Sequence, residues 1–268
     1  LIHHHIIGRE SRSQEKLMEK YTREALLLIF LAISSVATST SAWMPMEGNN
    51  AASYCLSWRL AIETNNVRMW RSVPLQCMRY VELYMLAGQY DRDVQLIVEQ
   101  INVYLNEILL PGDGMDAWIL DVDDTCFSNL FYYRLKRYGC DPYDPTGFRA
   151  WAMRGGSPAI EPVLELFNKL IETGFKVFLV TGRDEETLRQ ATVENLENQG
   201  FSGYERLIMR TAENKRQSAT TYKATVRKQI MEEGYRIWGN VGDQWSDLQG
   251  EYSGNRTFKI PNPMYFVP

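Results

Sequence analysis

The stretch Trp118-Ile119-Leu120-Asp121-Val122-Asp123-Asp124-Thr125 joins an apolar run directly to three acids. Ala117–Val122 has the length and side chains of a strand buried on both faces. Carboxylates carried to the end of such a strand leave water, so they must be paired, protonated or bound to a cation. Side chains alternate along an extended chain, which predicts that Asp121 and Asp123 face one side and Asp124 the other. Asp124 is thereby read as a capping or surface acid. Thr125 and Ser128 are read as hydroxyls that satisfy the turn after the strand.

Outward from this run, strands and helices alternate. Further strands are predicted at Lys176–Val180, Arg206–Arg210, Arg236–Val241 and Thr257–Ile260. One intervening helix opens at Ser157-Pro158, carries Ile160, Val163, Leu164, Phe167, Leu170 and Ile171 on one face, and closes at Gly174. Two more span Asp184–Asn198 and Thr220–Glu233, ended by Gly200 and Gly234. The expected fold class is α/β, a doubly wound Rossmann-like parallel sheet covered on both faces, with its sites at the carboxyl ends of the strands.

Upstream the pattern is helical: Tyr54–Thr64, Pro74–Ala87, and a longer helix from Val94 capped by Asp93 and stopped at Pro111-Gly112. Residues 43–112 are therefore predicted as an N-terminal helical segment and 113–268 as the α/β core. One piece of the core does not alternate. Residues 126–156 hold Phe127, Phe131, Tyr132, Tyr133, Tyr138, Tyr143, Phe148 and Trp151. This small, cap-like helical insertion is either a lid over the site or an excursion packed on the body.

The whole chain sets further bounds. Its 268 residues can bury one sizeable core, and 45% hydrophobic with 23% charged residues is ordinary for a folded globular protein. With 29 basic against 33 acidic residues and no basic block, nothing points to nucleic acid. Residues 18–42 read as a secretory signal peptide: Lys20 and Arg23, then apolar Leu26–Ala37, then Thr40-Ser41-Ala42. No membrane association is expected after cleavage, and the destination is the vacuole or the extracellular apoplast. Residues 1–17 read as upstream or non-native sequence, or as a genuine extension. Secretion makes Asn255-Arg256-Thr257 a usable glycosylation sequon. It also permits disulfides: the sequence-local pairing of the four cysteines is Cys55–Cys77 with Cys126–Cys140, against the alternative of buried free thiols. All three histidines, His3, His4 and His5, lie in the segment expected to be lost. Ser-His-Asp hydrolysis, phosphohistidine chemistry and His-ligated metals are thereby excluded, and no cysteine has an arginine six positions on. Chemistry is left to carboxylates, hydroxyls, lysine and a hard metal.

Those groups gather at predicted strand ends. The first strand ends in Asp121-Val122-Asp123-Asp124-Thr125, the second in Thr181-Gly182-Arg183, and the fourth in Gly242-Asp243-Gln244-Trp245-Ser246-Asp247. Lys223 sits early in a helix between them. Two carboxylates as close as Asp121 and Asp123 do not both stay charged unaided, and a divalent cation removes the conflict. Oxygen-only ligands suit Mg2+.

The order Asp-x-Asp-x-Thr, strand-Thr-Gly, Lys, Gly-Asp-x3-Asp resembles the haloacid dehalogenase-like (HAD) superfamily. WILDVDDTCFSNLFYY (118–133), VFLVTGRDEETLRQAT (177–192), SATTYKATVRKQIMEEGYRIWGNVGDQWSD (218–247) and FKIPNPMYFVP (258–268) are similar to the plant acid phosphatase group that includes vegetative storage proteins. The resemblance runs from about Ser53 to the C-terminus and implies a small phosphomonoester as substrate. It implies that Asp121 is the nucleophile, forming an aspartyl-phosphate, and that Asp123 is the general acid and base. Mg2+ would be held by Asp121, the backbone carbonyl of Asp123 and Asp243, with Asp247 in or near the second layer of ligands. Thr181 and the Gly182 amide would hold phosphoryl oxygens, and Lys223 would balance their charge.

Bland readings stand beside these. Lys215 and Lys228 compete with Lys223, Arg183 either touches phosphate or pairs with Asp184 or Glu185, and Asp243 and Asp247 can belong to a plain turn. Three functions compete. The first is a secreted Mg2+-dependent acid phosphatase. The second is a storage or defence glycoprotein, which the resemblance also feeds, along with the suggestion of a homodimer. The third, a phospho-accepting receiver domain, is disfavoured because Asp121 and Asp123 share one strand. N-terminal sequencing of the native protein is expected to start near Trp43; a start at Leu1 or Met18 would remove the cleaved leader.

Overall fold

The computed structural model of the protein describes residues 48–268. The expected leader, the segment before it and the cleavage position lie outside the described residues. Five strands form one parallel sheet in the order β3-β2-β1-β4-β5: β1 Asp116–Leu120, β2 Lys176–Asp184, β3 Arg206–Arg210, β4 Arg236–Gly242 and β5 Arg256–Lys259. The helices, in chain order, are α1 Gly48–Glu63, α2 Met78–Leu86, α3 Gln89–Leu105, α4 Leu130–Leu135, α5 Pro145–Ala152, α6 Glu161–Glu172, α7 Glu185–Asn198, α8 Ala219–Glu232 and the single turn α9 Trp245–Leu248. Among the described residues no helix is long and apolar enough to cross a membrane.

Every residue of β1 is buried, because both faces of the sheet are covered. Trp118 and Leu120 join Val177, Leu179, Val241 and Phe258 in a core that also takes in buried residues of α1, α2, α3, α6 and α7. Ala117 and Ile119 face the other way, with Phe178, Val180 and Ile237, under Tyr222, Val226 and Ile230 of α8. Trp118 lies so close to β4 that a Cβ on Gly239 would stand 2.1 Å from its ring. The helices before β1 thus have no core of their own; Tyr104 of α3 packs against both Trp118 and Phe258.

Several predicted boundaries move for local reasons. β1 ends at Leu120 rather than Val122, because the chain turns at once: the Cys126 and Phe127 N–H groups both donate to Val122 O. Asp93 does not cap α3, which starts after Gly88 in the left-handed region (φ 81°). Asp93 lies inside the helix and accepts from Tyr84 Oη (2.8 Å), Gln89 Nε2 (2.7 Å) and Arg59 Nη1 (3.1 Å). α6 begins at Glu161 rather than at Ser157-Pro158. Ser157 exchanges two hydrogen bonds with the Asn195 side chain instead, and Pro158 O accepts from Ser128 N. Asp184 and Ser218 cap α7 and α8 through their side chains, accepting from Thr187 N and Thr221 N.

The insertion packs on the body: Tyr132, Tyr133, Tyr138 and Ala152 belong to the main core. Between α4 and α5 it makes a left-handed turn, with Arg137, Tyr138 and Gly139 all at positive φ. A Cβ on Gly139 would meet Met264 O at 1.9 Å, so glycine is required there. Asn255 is exposed where the chain enters β5, at the amino edge of the sheet.

Cys55 and Cys77 form a disulfide (Cα–Cα 5.3 Å) that ties α1 to the 3₁₀ turn Leu75–Cys77. The expected Cys126–Cys140 bridge is not formed; both thiols are free. The two are anchored to different neighbours. Cys126 is pinned in the turn after β1, its carbonyl accepting from Ile160 N, whereas Cys140 follows the left-handed turn whose Gly139 O accepts from Val73 N. Alkylation of denatured, unreduced protein is expected to label Cys126 and Cys140 only. Replacing Cys55 and Cys77 by serine should lower unfolding stability by about 3 kcal/mol, given the 22-residue separation, as read by denaturant titration.

Candidate active site

The strand order reverses direction between β1 and β4, and this opens a crevice at their carboxyl ends. Asp121 stands at its floor, one residue past β1, with its N–H donating to Val241 O (3.0 Å). On the side of the sheet that α8 covers, Lys223 reaches over: Nζ pairs with Asp121 Oδ1, with Asp247 Oδ1 (2.7 Å) and with Val180 O (3.0 Å). The competing lysines are elsewhere, Lys215 on Asp184 and Lys228 on Glu232.

Asp123 sits in the turn rather than on a strand, yet it also faces the crevice. Arg183, from the end of β2, grips it with Nε (3.0 Å to Oδ2) and Nη2 (2.8 Å to Oδ1). Asn129 Nδ2 donates to Oδ1 (3.0 Å), and Thr181 Oγ1 lies 3.4 Å from Oδ2. Arg183 therefore pairs with neither Asp184, which takes Lys215, nor Glu185, which takes Arg189. Gly182, exposed between buried Thr181 and Arg183, has open space where a side chain would stand.

Asp124 departs from the surface position that strand alternation predicts. It is buried in the left-handed region (φ 56°), which an aspartate adopts more readily than most residues. Its carboxylate accepts from Asn129 N (2.9 Å), Asn129 Nδ2 (3.1 Å) and Tyr265 Oη (2.9 Å), so its task is to hold the turn to α4 and to the C-terminal segment. Thr125 Oγ1 is buried without a partner among the described residues, so it does not satisfy the turn as expected.

From the end of β4, Asp243 accepts from Gln244 Nε2 (2.7 Å) and Asn262 Nδ2 (2.6 Å). Asp247, in α9, accepts from Gln244 N (2.9 Å), while its carbonyl takes Arg227 Nη1 (2.6 Å) and Asn240 Nδ2 (2.9 Å). A Cβ on Gly242 would fall 2.4 Å from Asp247 Cβ, so this glycine makes room for the acid.

Buried acids outnumber the cations that face them. Burial, with Asp247 and Asp123 nearby, pushes the Asp121 carboxyl up to about 8 against the pull of Lys223. Burial and the charges of Asp247, Asp121 and Asp124 push Asp243 well above the carboxylate range. Asp124 is pushed to about 6, chiefly by burial. Asp123 differs: burial raises it, but the charge and hydrogen bonds of Arg183 outweigh that and bring it below its ordinary value. Carboxylate oxygens of Asp121, Asp243 and Asp247 lie within 4.8 Å of one another. Three buried hard donors at that spacing, two of them resisting ionisation, fit a divalent cation such as Mg2+. The Asp123 side chain is outside this group, occupied by Arg183 and Asn129, which leaves only its carbonyl as a possible ligand.

A family model described as HAD superfamily, subfamily IIIB (acid phosphatase) matches residues 39–268. The chain belongs to that subfamily. It is 44% identical over 213 residues to acid phosphatase 1 of Solanum lycopersicum, covering 80% of this chain and 83% of the relative. Vegetative storage protein 2 of Arabidopsis thaliana is 36% identical over 217 residues, 80% of each chain. The class C acid phosphatase of Bacillus anthracis shares the fold, with a TM-score of 0.59 and 19% identity over 71% of this chain and 85% of that one. For an acid phosphatase of this subfamily, the sequence pattern named Asp121, Asp123, Thr181, Arg183, Lys223, Asp243 and Asp247, and the fold brings them to one crevice. It did not name Asn129, Arg227, Gln244, Asn262 or Tyr265. Each acts through an amide, guanidinium or phenol whose partner, an acid or for Arg227 the backbone carbonyls from Asp247 to Glu251, is fixed by the fold, and no spacing marks them.

Proposed function

We propose that this chain is a Mg2+-dependent acid phosphatase that hydrolyses small phosphomonoesters through an aspartyl-phosphate on Asp121. The observation that carries this reading is the buried Asp121, bridged by Lys223 to Asp247, beside Asp243 and the open Gly182 position.

Asp121 Oδ, the Asp123 carbonyl and Asp243 would hold the cation, with Asp247 beside them. When bound, Mg2+ supplies positive charge that keeps Asp121 ionised and polarises the phosphoryl group. Lys223 holds the Asp121 carboxylate in place and balances the charge of the phosphoryl oxygens. Thr181 Oγ1 and the Gly182 amide would receive those oxygens. Asp121 attacks phosphorus, the bond to the ester oxygen breaks, and Asp123 delivers a proton to that oxygen. Asp123 then takes a proton from water, which attacks the aspartyl-phosphate and releases inorganic phosphate.

One feature of the site bears on the proton. Before substrate enters, Arg183 holds Asp123 ionised, the wrong form for an acid. An incoming phosphate competes for the same guanidinium and adds negative charge beside Asp123. Both effects raise the Asp123 carboxyl and let it take up the proton it must deliver. The protonated form persists to higher pH in the complex than in the free protein, which fits turnover on the acid side of neutrality.

A secreted, glycosylated protein of the vacuole or apoplast, assembled as a homodimer, completes the reading. The similarity to vegetative storage protein 2 favours a second reading, a protein stored for its mass. The presence of the full acid set with Lys223 weighs toward catalysis.

Hydrolysis of an aryl phosphate is expected to be abolished by a chelator, restored by Mg2+, and lost by at least about three orders of magnitude in Asp121→Asn. Equal turnover by variant and wild type would end the nucleophile assignment, and no turnover by folded, Mg2+-loaded wild type would favour storage. Arg183→Met should raise KM and shift the pH limb governed by Asp123, as measured by kcat and kcat/KM profiles; an unchanged profile would detach Arg183 from proton control.

A further inference from the structure

The last residues of the chain, Ile260 onward, leave the sheet and run over the acid cluster. Pro261, Asn262, Pro263 and Met264 are buried, although no regular element holds them. Packing fixes their path. Tyr265 stacks on Tyr133 of the insertion, with ring centroids 4.8 Å apart, and Met264 O sits where a Cβ on Gly139 would fall.

Two side-chain amides join this segment to one acid. Asn262 Nδ2 and Gln244 Nε2 both donate to the same oxygen, Oδ2 of Asp243, at 2.6 and 2.7 Å. Neither amide is free to flip. Asn262 Oδ1 accepts from Met264 N (2.9 Å) and Gln244 Oε1 accepts from Val267 N (2.9 Å). A flip would set an NH2 group against a backbone N–H and an amide oxygen against a carboxylate, losing both bonds. Backbone N–H groups of the C-terminal segment therefore dictate the orientation of both amides, and both amides dictate that of Asp243. Among the described residues no group donates to Asp243 Oδ1.

We propose that Asn262 and Gln244, oriented by the Met264 and Val267 N–H groups, are positioning residues of the cation site: they fix Asp243 by one oxygen and leave the other to the cation. This inference rests on the reading of Asp121, Asp243 and Asp247 as the Mg2+ site. Groups behind a metal ligand orient it and commonly change affinity by about 10- to 100-fold when removed. A segment serving only to fasten the fold would change stability alone.

The test is Mg2+ binding to the full chain by calorimetry, without substrate, on variants shown to be folded by circular dichroism. Asn262→Ser keeps an acceptor for Met264 N but cannot reach Asp243, and Gln244→Met removes the second donor at similar volume. Each is expected to weaken Mg2+ by about 10- to 100-fold, and the Mg2+ concentration for half-maximal turnover should move in parallel. Tyr265→Phe frees the segment from Asp124 but leaves both amides, and it should keep the wild-type affinity. If Asn262→Ser does not fold, Gln244→Met alone decides. Wild-type affinity in the folded variants, with only a lower melting temperature, would overturn the proposal. So would an equal loss in Tyr265→Phe, which would mean general loosening. Wild type that binds Mg2+ without turnover would defeat the catalytic reading alone, and wild type that binds none would defeat both.

Discussion

The constraint on which the rest depends is a set of carboxylates buried at the end of the central strand. Asp121, Asp243 and Asp247 are almost wholly out of water, and Lys223 is the cation that bridges two of them. Removing an ionised carboxylate from water costs several kcal/mol after relaxation, so the cluster persists only because the surrounding chain supplies charge and donors at fixed positions. α8 exists in this place to bring Lys223 across the sheet. Its buried apolar residues, Tyr222, Val226 and Ile230, weld it to the face formed by Ala117 and Ile119. The apolar core thus aims the polar site.

A second layer of donors works from the far side. Arg227, also on α8, spends its guanidinium on the carbonyls of Asp247, Gln249 and Glu251, which holds the turn after β4 in register with Lys223. Asn129 ties Asp123 to Asp124 through Nδ2, and its Oδ1 accepts from Trp151 Nε1 (3.1 Å) and Ser157 Oγ (3.3 Å). Through Asn129 the aromatic insertion becomes a supporting wall of the acid turn. Packing on the body and service at the site are the same role here, not alternatives.

The acids divide by environment rather than by chemistry. Asp123 meets a bidentate guanidinium that outweighs its burial and holds its carboxyl below the ordinary range; burial, with neighbouring acids, pushes Asp121 and Asp243 up. The proposed roles need the reverse order, Asp121 ionised and Asp123 protonated, which a cation beside Asp121 and a phosphate beside Asp123 would supply. Asp124 shows how one residue's place can alter its part. Set in a left-handed turn, it accepts three hydrogen bonds and serves the scaffold.

Much of this was legible in the linear chain. Apolar strand runs and glycines closing helices are local signals, and local signals specify element type and order. The parallel sheet follows from strand–helix alternation, and the lack of histidine past residue 5 restricts the chemistry to oxygen and lysine. What the chain alone left open depended on contacts between distant residues. Asp93 and Ser157 read as helix starts, but Arg59 and Asn195 offered them other partners. Cys126 and Cys140 are near in sequence, yet each is anchored to a different neighbour. Asn262 meets Asp243, and Val267 N orients the Gln244 amide, because the last residues fold back across the sheet edge. Composition and periodicity determine which acids stand at a strand end, since both are properties of neighbouring residues. Which donors turn those acids into a site is decided by tertiary structure, since a hydrogen bond is set by distance in space.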